Sequence, residues 1–325
     1  MKYLITGGAG FLGINLAEKL LENKKNKVYL IDNLSKNIQK KSLSNLIKNK
    51  NVKFIKKDLS DILDYLKIYD FDYIFHFAAI LGVQKVIDNP YDTLKDNIQT
   101  TIKLINFSKK QKRLKKICFT STSEVYAQTL EKKLAKYPTP ENVDFIISKD
   151  FNPRSAYLLS KIVGEYLINF SKLNYVIFRP HNIFGPDMGN DHVIPQLLNK
   201  IFKKKKLNQK FINIKIQGSG NETRSFCFVD DAVDQILTLS SKGKNFDVYN
   251  IGQTKEITIK VLIKKIEKIL KKKIVITPSR ILLGSTKRRC PKMTKTFKLR
   301  KFVNNFNFGL KKTVKWYEQD FAKKL

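Results

Sequence analysis

Two short patterns in this 325-residue chain hold residues that could do chemistry together. Tyr157 and Lys161 stand four residues apart in a stretch that reads as a helix, so they share one helical face. A neighbouring ammonium favours the phenolate, and so does an oxidised nicotinamide. Both predict a Tyr157 phenol below its ordinary pKa of about 10, a candidate general base for a hydroxyl proton. Far upstream, Thr6-Gly-Gly-Ala-Gly-Phe-Leu-Gly13 follows the apolar run Lys2-Tyr-Leu-Ile5. Gly7, Gly10 and Gly13 allow a tight turn and close backbone approach, and Phe11 and Leu12 open the next helix. The free N–H groups and positive dipole end of that helix suit a pyrophosphate. Taken together, the two patterns point to nicotinamide-dependent chemistry on a carbinol.

Other polar residues fall where such a site needs them. Asp32 and Asn33 end the second apolar run, about twenty residues past the glycines. A carboxylate there accepts bonds from ribose hydroxyls and repels a 2′-phosphate, which favours NAD over NADP. Asp58 and Leu59 follow the third run; they suit an adenine contact, a helix N-cap, or both. Ser121-Thr-Ser-Glu-Val-Tyr126 follows the fifth run. Loops past the carboxyl ends of parallel strands are where such sheets bind ligands. A hydroxyl from Thr122 or Ser123 could bond the reacting oxygen and share its proton with Tyr157; the alternative is a strand-end turn with capping hydroxyls.

The elements that must position these residues are legible as apolar runs alternating with amphipathic stretches. Strands are expected near 2–6, 27–31, 52–56, 72–77, 115–120 and 174–179, with helices near 11–23, 37–49, 60–68, 90–111 and 154–172. This alternation predicts an α/β fold: a Rossmann-type, doubly wound parallel sheet covered on both faces. Beyond residue 180 the pattern loosens. Helices near 192–204, 229–241, 257–271 and 309–323 and strands near 213–217, 247–250 and 274–277 suggest a smaller mixed α/β lobe for the substrate. The expected division is a cofactor domain over 1–180, with a returning segment near 226–252, and a substrate lobe over 181–225 and 253–325.

Composition narrows the class. The chain is 42% hydrophobic with 13 Tyr and 22 Phe, which argues for a folded core rather than disorder. No run of about 18 apolar residues suggests a membrane span, and no leader segment is read at the N-terminus. Cys118, Cys227 and Cys290 are odd in number and widely spaced, which suits a reducing cytoplasm; no cysteine or histidine cluster suggests a metal. The formal net charge is +35, yet only eight of the 63 basic residues are Arg and the lysines are spread along the chain. Runs such as Lys203–Lys206 and Lys271–Lys273 fall near predicted helix ends. Lysine-rich composition explains this charge better than a nucleic-acid footprint, which would be a patch. No specific nucleic-acid partner and no membrane insertion are expected.

The chain resembles the extended short-chain dehydrogenase/reductase family, the NAD-dependent nucleotide-sugar epimerases and dehydratases. The resemblance rests on motifs in the family's order: TGGAGFLG, His76-Phe-Ala-Ala79, STSEVY, Tyr157-x-x-x-Lys161, Arg179-Pro-His-Asn-Ile-Phe-Gly-Pro186, the segment Gln217–Asp231, and Arg288-Arg289-Cys-Pro. It implies that Gly7, Gly10, Gly13, Asp32 and Asp58 contact NAD and that Ala78 and Ala79 line it. It implies that Tyr157 is the base and Lys161 its ribose-bound partner. Ser123 takes the substrate-hydroxyl position, with Thr122 its rival. Asn182 meets the nucleotide sugar, and Arg224 and Arg289, with Arg288 beside them, hold the diphosphate.

The implied mechanism is transient C4 oxidation by a resident NAD, giving a 4-keto sugar nucleotide. Return of the hydrogen to the opposite face gives an epimerase, the leading expectation. Glu124 raises the alternatives of a 4,6-dehydratase or a uronate decarboxylase, where an acid of raised pKa could shuttle a proton. More distant alternatives are a net dehydrogenase and a non-catalytic RNA-binding relative. His192 and the long 127–153 segment are candidate specificity elements without an assigned role. A homodimer through the helices near 90–111 and 154–172, UDP as the default nucleotide, a cytoplasmic location and a place in surface-polysaccharide assembly complete the expectations.

Overall fold

Seven strands form the central sheet: β1 (Lys2–Thr6), β2 (Lys27–Asp32), β3 (Val52–Lys56), β4 (Tyr73–His76), β5 (Lys116–Thr120), β6 (Tyr175–Pro180) and β7 (Asp247–Ile251). The computed structural model describes residues 1–35, 40–62, 66, 69–205, 211–280 and 286–323. The strand order is β7-β6-β5-β4-β1-β2-β3, and every neighbouring pair is parallel. This is the doubly wound order with one further strand at the β6 edge. The order reverses between β1 and β4, so the ends of those two strands open the crevice where such sheets take ligands.

Alternation along the strands makes two buried layers. Ile5, Val28, Leu30, Cys118 and Phe178 pack on one face against Leu16, Leu20, Ile236 and Leu239. Leu4, Ile31, Ile74, Phe119 and Ile177 pack on the other against Leu104, Ile105 and Ile168. The first face is covered by the helices Phe11–Leu21 and Val229–Lys242, the second by Pro90–Ser108 and Ser155–Phe170. Gly164 brings the last of these helices close to the sheet: a Cβ there would stand 2.5 Å from the Phe119 ring.

Most of the elements that follow β6 in the chain pack on one another. Phe211–Gln217 pairs in parallel with Lys273–Ser279, and its buried Ile212, Ile214 and Ile216 alternate with exposed residues. Ile259–Leu270 starts at Thr258, whose hydroxyl accepts from the Val261 N–H. Thr223–Ser225 lies between the short strands Glu256–Thr258 and Arg288–Arg289. The final helix, Phe306–Lys323, sends its Tyr317 hydroxyl to the Gly189 carbonyl at 2.6 Å. The helix expected over 90–111 begins where Pro90 takes the first turn, and a separate helix, Val83–Asp88, precedes it. Parts of the helices expected over 37–49 and 60–68 lie outside the described residues; Lys40–Leu46 and Leu59–Ile62 are observed.

Candidate active site

The turn after β1 is shaped by what it excludes. Gly7 sits at φ +67°, and a Cβ there would stand 2.7 Å from the Ala78 nitrogen. A Cβ on Gly13 would stand 2.6 Å from the Gly7 carbonyl, to which Gly10 donates its N–H at 3.0 Å. The helix Phe11–Leu21 has no side-chain cap and no acidic residue in its first turn, so its leading N–H groups face the crevice uncontested. Asp32 is tied to this turn, accepting from Ala9 N–H at 3.1 Å and from Leu34 N–H at 2.8 Å. Asn33 donates its amide to Asp58 at 3.0 Å. Gly7, Gly10, Phe11, Leu12, Gly13, Asp32, Asn33, Asp58, Leu59, Ala78 and Ala79, all cofactor candidates, line one cleft of ≈ 720 Å³. His76, which ends β4 and opens the His76–Ala79 motif, is buried, bonded to Thr6 at 2.7 Å and pushed down to about 3 by burial, so it is a neutral part of the core.

The same cleft receives the catalytic candidates Thr122, Ser123, Glu124, Tyr157 and Lys161. Lys161 is buried. Its ammonium donates to the Thr120 carbonyl at 2.8 Å and lies 5.9 Å from the Tyr157 ring centre. Burial, only partly opposed by Glu165, brings Lys161 down to about 8. The phenol departs from expectation. Burial and then the Glu124 carboxylate push Tyr157 up rather than down, and the Thr122 hydroxyl, bonded to it, works against them. Burial is the larger cause, and the Glu124 carboxylate near the ring adds to it. Between the two rival hydroxyls, Thr122 is the one that meets the phenol. It also caps the short helical turn Ser123–Tyr126 by accepting from the Glu124 N–H at 3.2 Å.

Glu124 does not show the raised pKa that the dehydratase and decarboxylase alternatives called for. Arg289 donates to it at 2.9 Å, and Arg154 stands 3.9 Å from its other oxygen. Burial favours the neutral acid, but Arg289 and Arg154, with Arg224 behind them, outweigh it and hold the carboxyl below its ordinary range. Arg154 was not anticipated from sequence; its place three residues before Tyr157, one helical turn away, is the signal that could have found it.

The three expected phosphate arginines separate. Arg289 lines the cleft. Arg288, its neighbour on a strand, points the other way by the period-two rule. It is exposed, bonded to Glu256 at 2.6 Å and stacked 4.9 Å over Tyr137, outside the cleft lining. Arg224 donates to the carbonyls of Thr223, Thr286 and Lys287 and is lowered to about 10 by burial and by Arg289; it stands behind Arg289 rather than in the cleft wall. Asn182 lines the cleft at φ 44°, its amide donating to Ser225 at 3.1 Å. His192 lines the rim and starts the helix Val193–Lys205, its carbonyl accepting from Gln196. Among the described residues no group of His, Cys, Asp and Glu is arranged to hold a metal, and no helix is long and apolar enough to cross a membrane.

The NAD dependent epimerase/dehydratase family model matches residues 3–252. The chain belongs to the NAD-dependent epimerase/dehydratase family. A dTDP-D-glucose 4,6-dehydratase of Dictyostelium discoideum is 32% identical over 82% of this chain and 61% of that one. UDP-glucuronic acid decarboxylase 5 of Arabidopsis thaliana is 30% identical over 91% of this chain and 82% of that one. Among solved structures, a UDP-N-acetylglucosamine 4-epimerase from Methanobrevibacter ruminantium M1, in complex with UDP-N-acetylmuramic acid, superposes with a TM-score of 0.83. It is 28% identical over 98% of both chains. The epimerase/dehydratase family uses NAD, and the residues here fit it: a side-chain-free turn at a helix N-terminus for the pyrophosphate and a carboxylate at the end of β2 for the ribose.

Proposed function

We propose that the chain converts a nucleotide-diphosphate sugar through transient oxidation at C4, as a 4-epimerase. One observation carries this reading: Thr122, Tyr157 and Lys161 face the glycine turn and Asp32 across a single cleft. NAD, when bound, supplies a reversible acceptor for the two electrons that the sugar carbon loses. The protein does the rest. Tyr157 takes the C4 hydroxyl proton, and Thr122, bonded to that phenol, holds the sugar oxygen in line. Lys161, anchored on Thr120, adds positive charge that favours the phenolate as the proton leaves. Gly7, Gly10, Phe11, Leu12, Gly13, Asp32, Asn33, Asp58, Leu59, Ala78 and Ala79 bind the cofactor. Arg289 takes a diphosphate oxygen and Asn182 a sugar or nucleotide group. Arg224 supports Arg289 from behind. UDP is the default nucleotide.

Glu124 supports the epimerase over elimination. Loss of water across C5–C6 needs an acid for the departing hydroxyl, and here Ser123 is the neighbour while Glu124 is held ionised by two arginines. A second reading, decarboxylation of a nucleotide uronate, is favoured by Arg289, a carboxylate-binding cation in the cleft that Tyr157 lines. Incubation of a nucleotide-sugar panel without added NAD, read by mass and proton NMR, decides. A product of unchanged mass with inverted C4 supports the epimerase; loss of carbon dioxide or water overturns it in favour of the second reading or a dehydratase. Turnover only with added NAD would make it a net dehydrogenase. A homodimer through the helices Pro90–Ser108 and Ser155–Phe170, a division into cofactor domain and substrate lobe, a cytoplasmic site of action and a role in polysaccharide assembly belong to the same proposal.

A further inference from the structure

The catalytic base and the arginine that faces it come from segments over a hundred residues apart, and one buried amide joins their supports. Asn250, in β7, is fully buried. Its Nδ2 donates to the Thr139 carbonyl at 3.0 Å and to the Lys292 carbonyl at 3.2 Å. Two donations fix which end of the amide is nitrogen, so Oδ1 is an acceptor. It accepts from the Tyr126 hydroxyl at 2.9 Å and from His181 Nε2 at 3.1 Å. The amide thus uses both hydrogens and both lone pairs.

The contacts reach further on each side. Tyr126 ends the turn that carries Thr122 and Glu124, and its oxygen accepts from Arg179 at 2.8 Å. Arg179 forks onto Glu165 at 2.8 and 2.6 Å, one turn beyond Lys161 on the Tyr157 helix. On the other side, Thr139 bonds back to Cys290 and Lys292, the residues flanking Pro291 just after Arg289. We infer that Asn250 is a positioning residue that sets the spacing between the Thr122–Tyr157 pair and Arg289, so that binding of the diphosphate and alignment of the sugar hydroxyl are coupled. This rests on the proposed nucleotide-sugar function and deepens it: neither Asn250 nor Tyr126 lines the cleft, yet both act on groups that do.

Two variants separate positioning from bulk stability. Tyr126→Phe removes one hydroxyl and leaves Arg179 with Glu165 and the Glu141 carbonyl. Asn250→Asp keeps the acceptor toward Tyr126 and removes both donors toward Thr139 and Lys292. The expected result is a kcat loss of ten-fold or more in Tyr126→Phe with KM changed less than three-fold, a rise in both KM and the Kd for UDP of ten-fold or more in Asn250→Asp, and an unchanged Kd for NAD in both. A double variant should lose less than the product of the two single losses, because both cut one path. If Asn250→Asp does not fold, Tyr126→Phe alone decides through its kcat-against-KM split. Tyr126→Phe with kcat within two-fold of the parent, whatever its Tm, overturns the inference. A parent that binds no UDP and turns over no nucleotide sugar instead overturns the functional reading.

Discussion

At the residue scale, the site is a balance of charges rather than a set of motif letters. Burial, and after it the Glu124 carboxylate, push the Tyr157 phenol up, and the same burial pushes the Lys161 ammonium down. Tyr157→Phe should keep fold and NAD affinity while lowering kcat by about 10²–10⁴-fold, since only the proton acceptor is lost; steady-state kinetics with calorimetric NAD titration checks this. Lys161 makes a prediction about stability. Its folded value of about 8 lies below its unfolded value of 10.5, so between these pH values the unfolded chain binds the extra proton. Stability from this group therefore rises as pH rises across that window. Urea denaturation at pH 7 and pH 9.5 should show a gain of about 2 kcal/mol in the parent that is missing in Lys161→Met.

At the element scale, strands bring chemistry to one edge of the sheet and turns aim it. Gly7→Ala should weaken NAD binding by about 100-fold and cost about 1–3 kcal/mol of stability. Its left-handed φ and the 2.7 Å approach to Ala78 leave no room for a methyl group. Fluorescence titration with NADH and thermal melting would measure both. This turn was legible from sequence, as were the six strands that follow one another through β6, because long apolar runs repeat with helices between them. What was not legible has physical reasons. The strands Thr223–Ser225, Glu256–Thr258 and Arg288–Arg289 are two or three residues long, too short to show a period, so the opposite facing of Arg288 and Arg289 was hidden. That Thr122 rather than Ser123 bonds the Tyr157 phenol depends on how the turn rotates the two hydroxyls. The Arg289 grip on Glu124 joins segments 165 residues apart, and no local spacing encodes it.

At the scale of the whole molecule, two packed helices leave apolar surface in water. Tyr166 and Phe170 are 53% and 73% exposed with ring centres 5.8 Å apart, on the helix that packs against Pro90–Ser108. A second copy covering this face predicts a dimer by light scattering, and Phe170→Glu should shift it to monomer without changing the NAD site; a monomeric parent removes the dimer. The sheet carries one further consequence, for how the chain comes into being. β6 is an interior strand only because β7 arrives from residues 247–251. A growing polypeptide that has emerged as far as Pro180 presents β6 as an open edge, and the strand that closes it is made roughly 70 residues later. At about 5–20 residues per second this leaves an interval of several seconds in which nascent chains on one message can pair edge to edge. Slow codons between these two segments would lengthen that interval, and yield in the cell should depend on their placement more than on the stability of the finished protein.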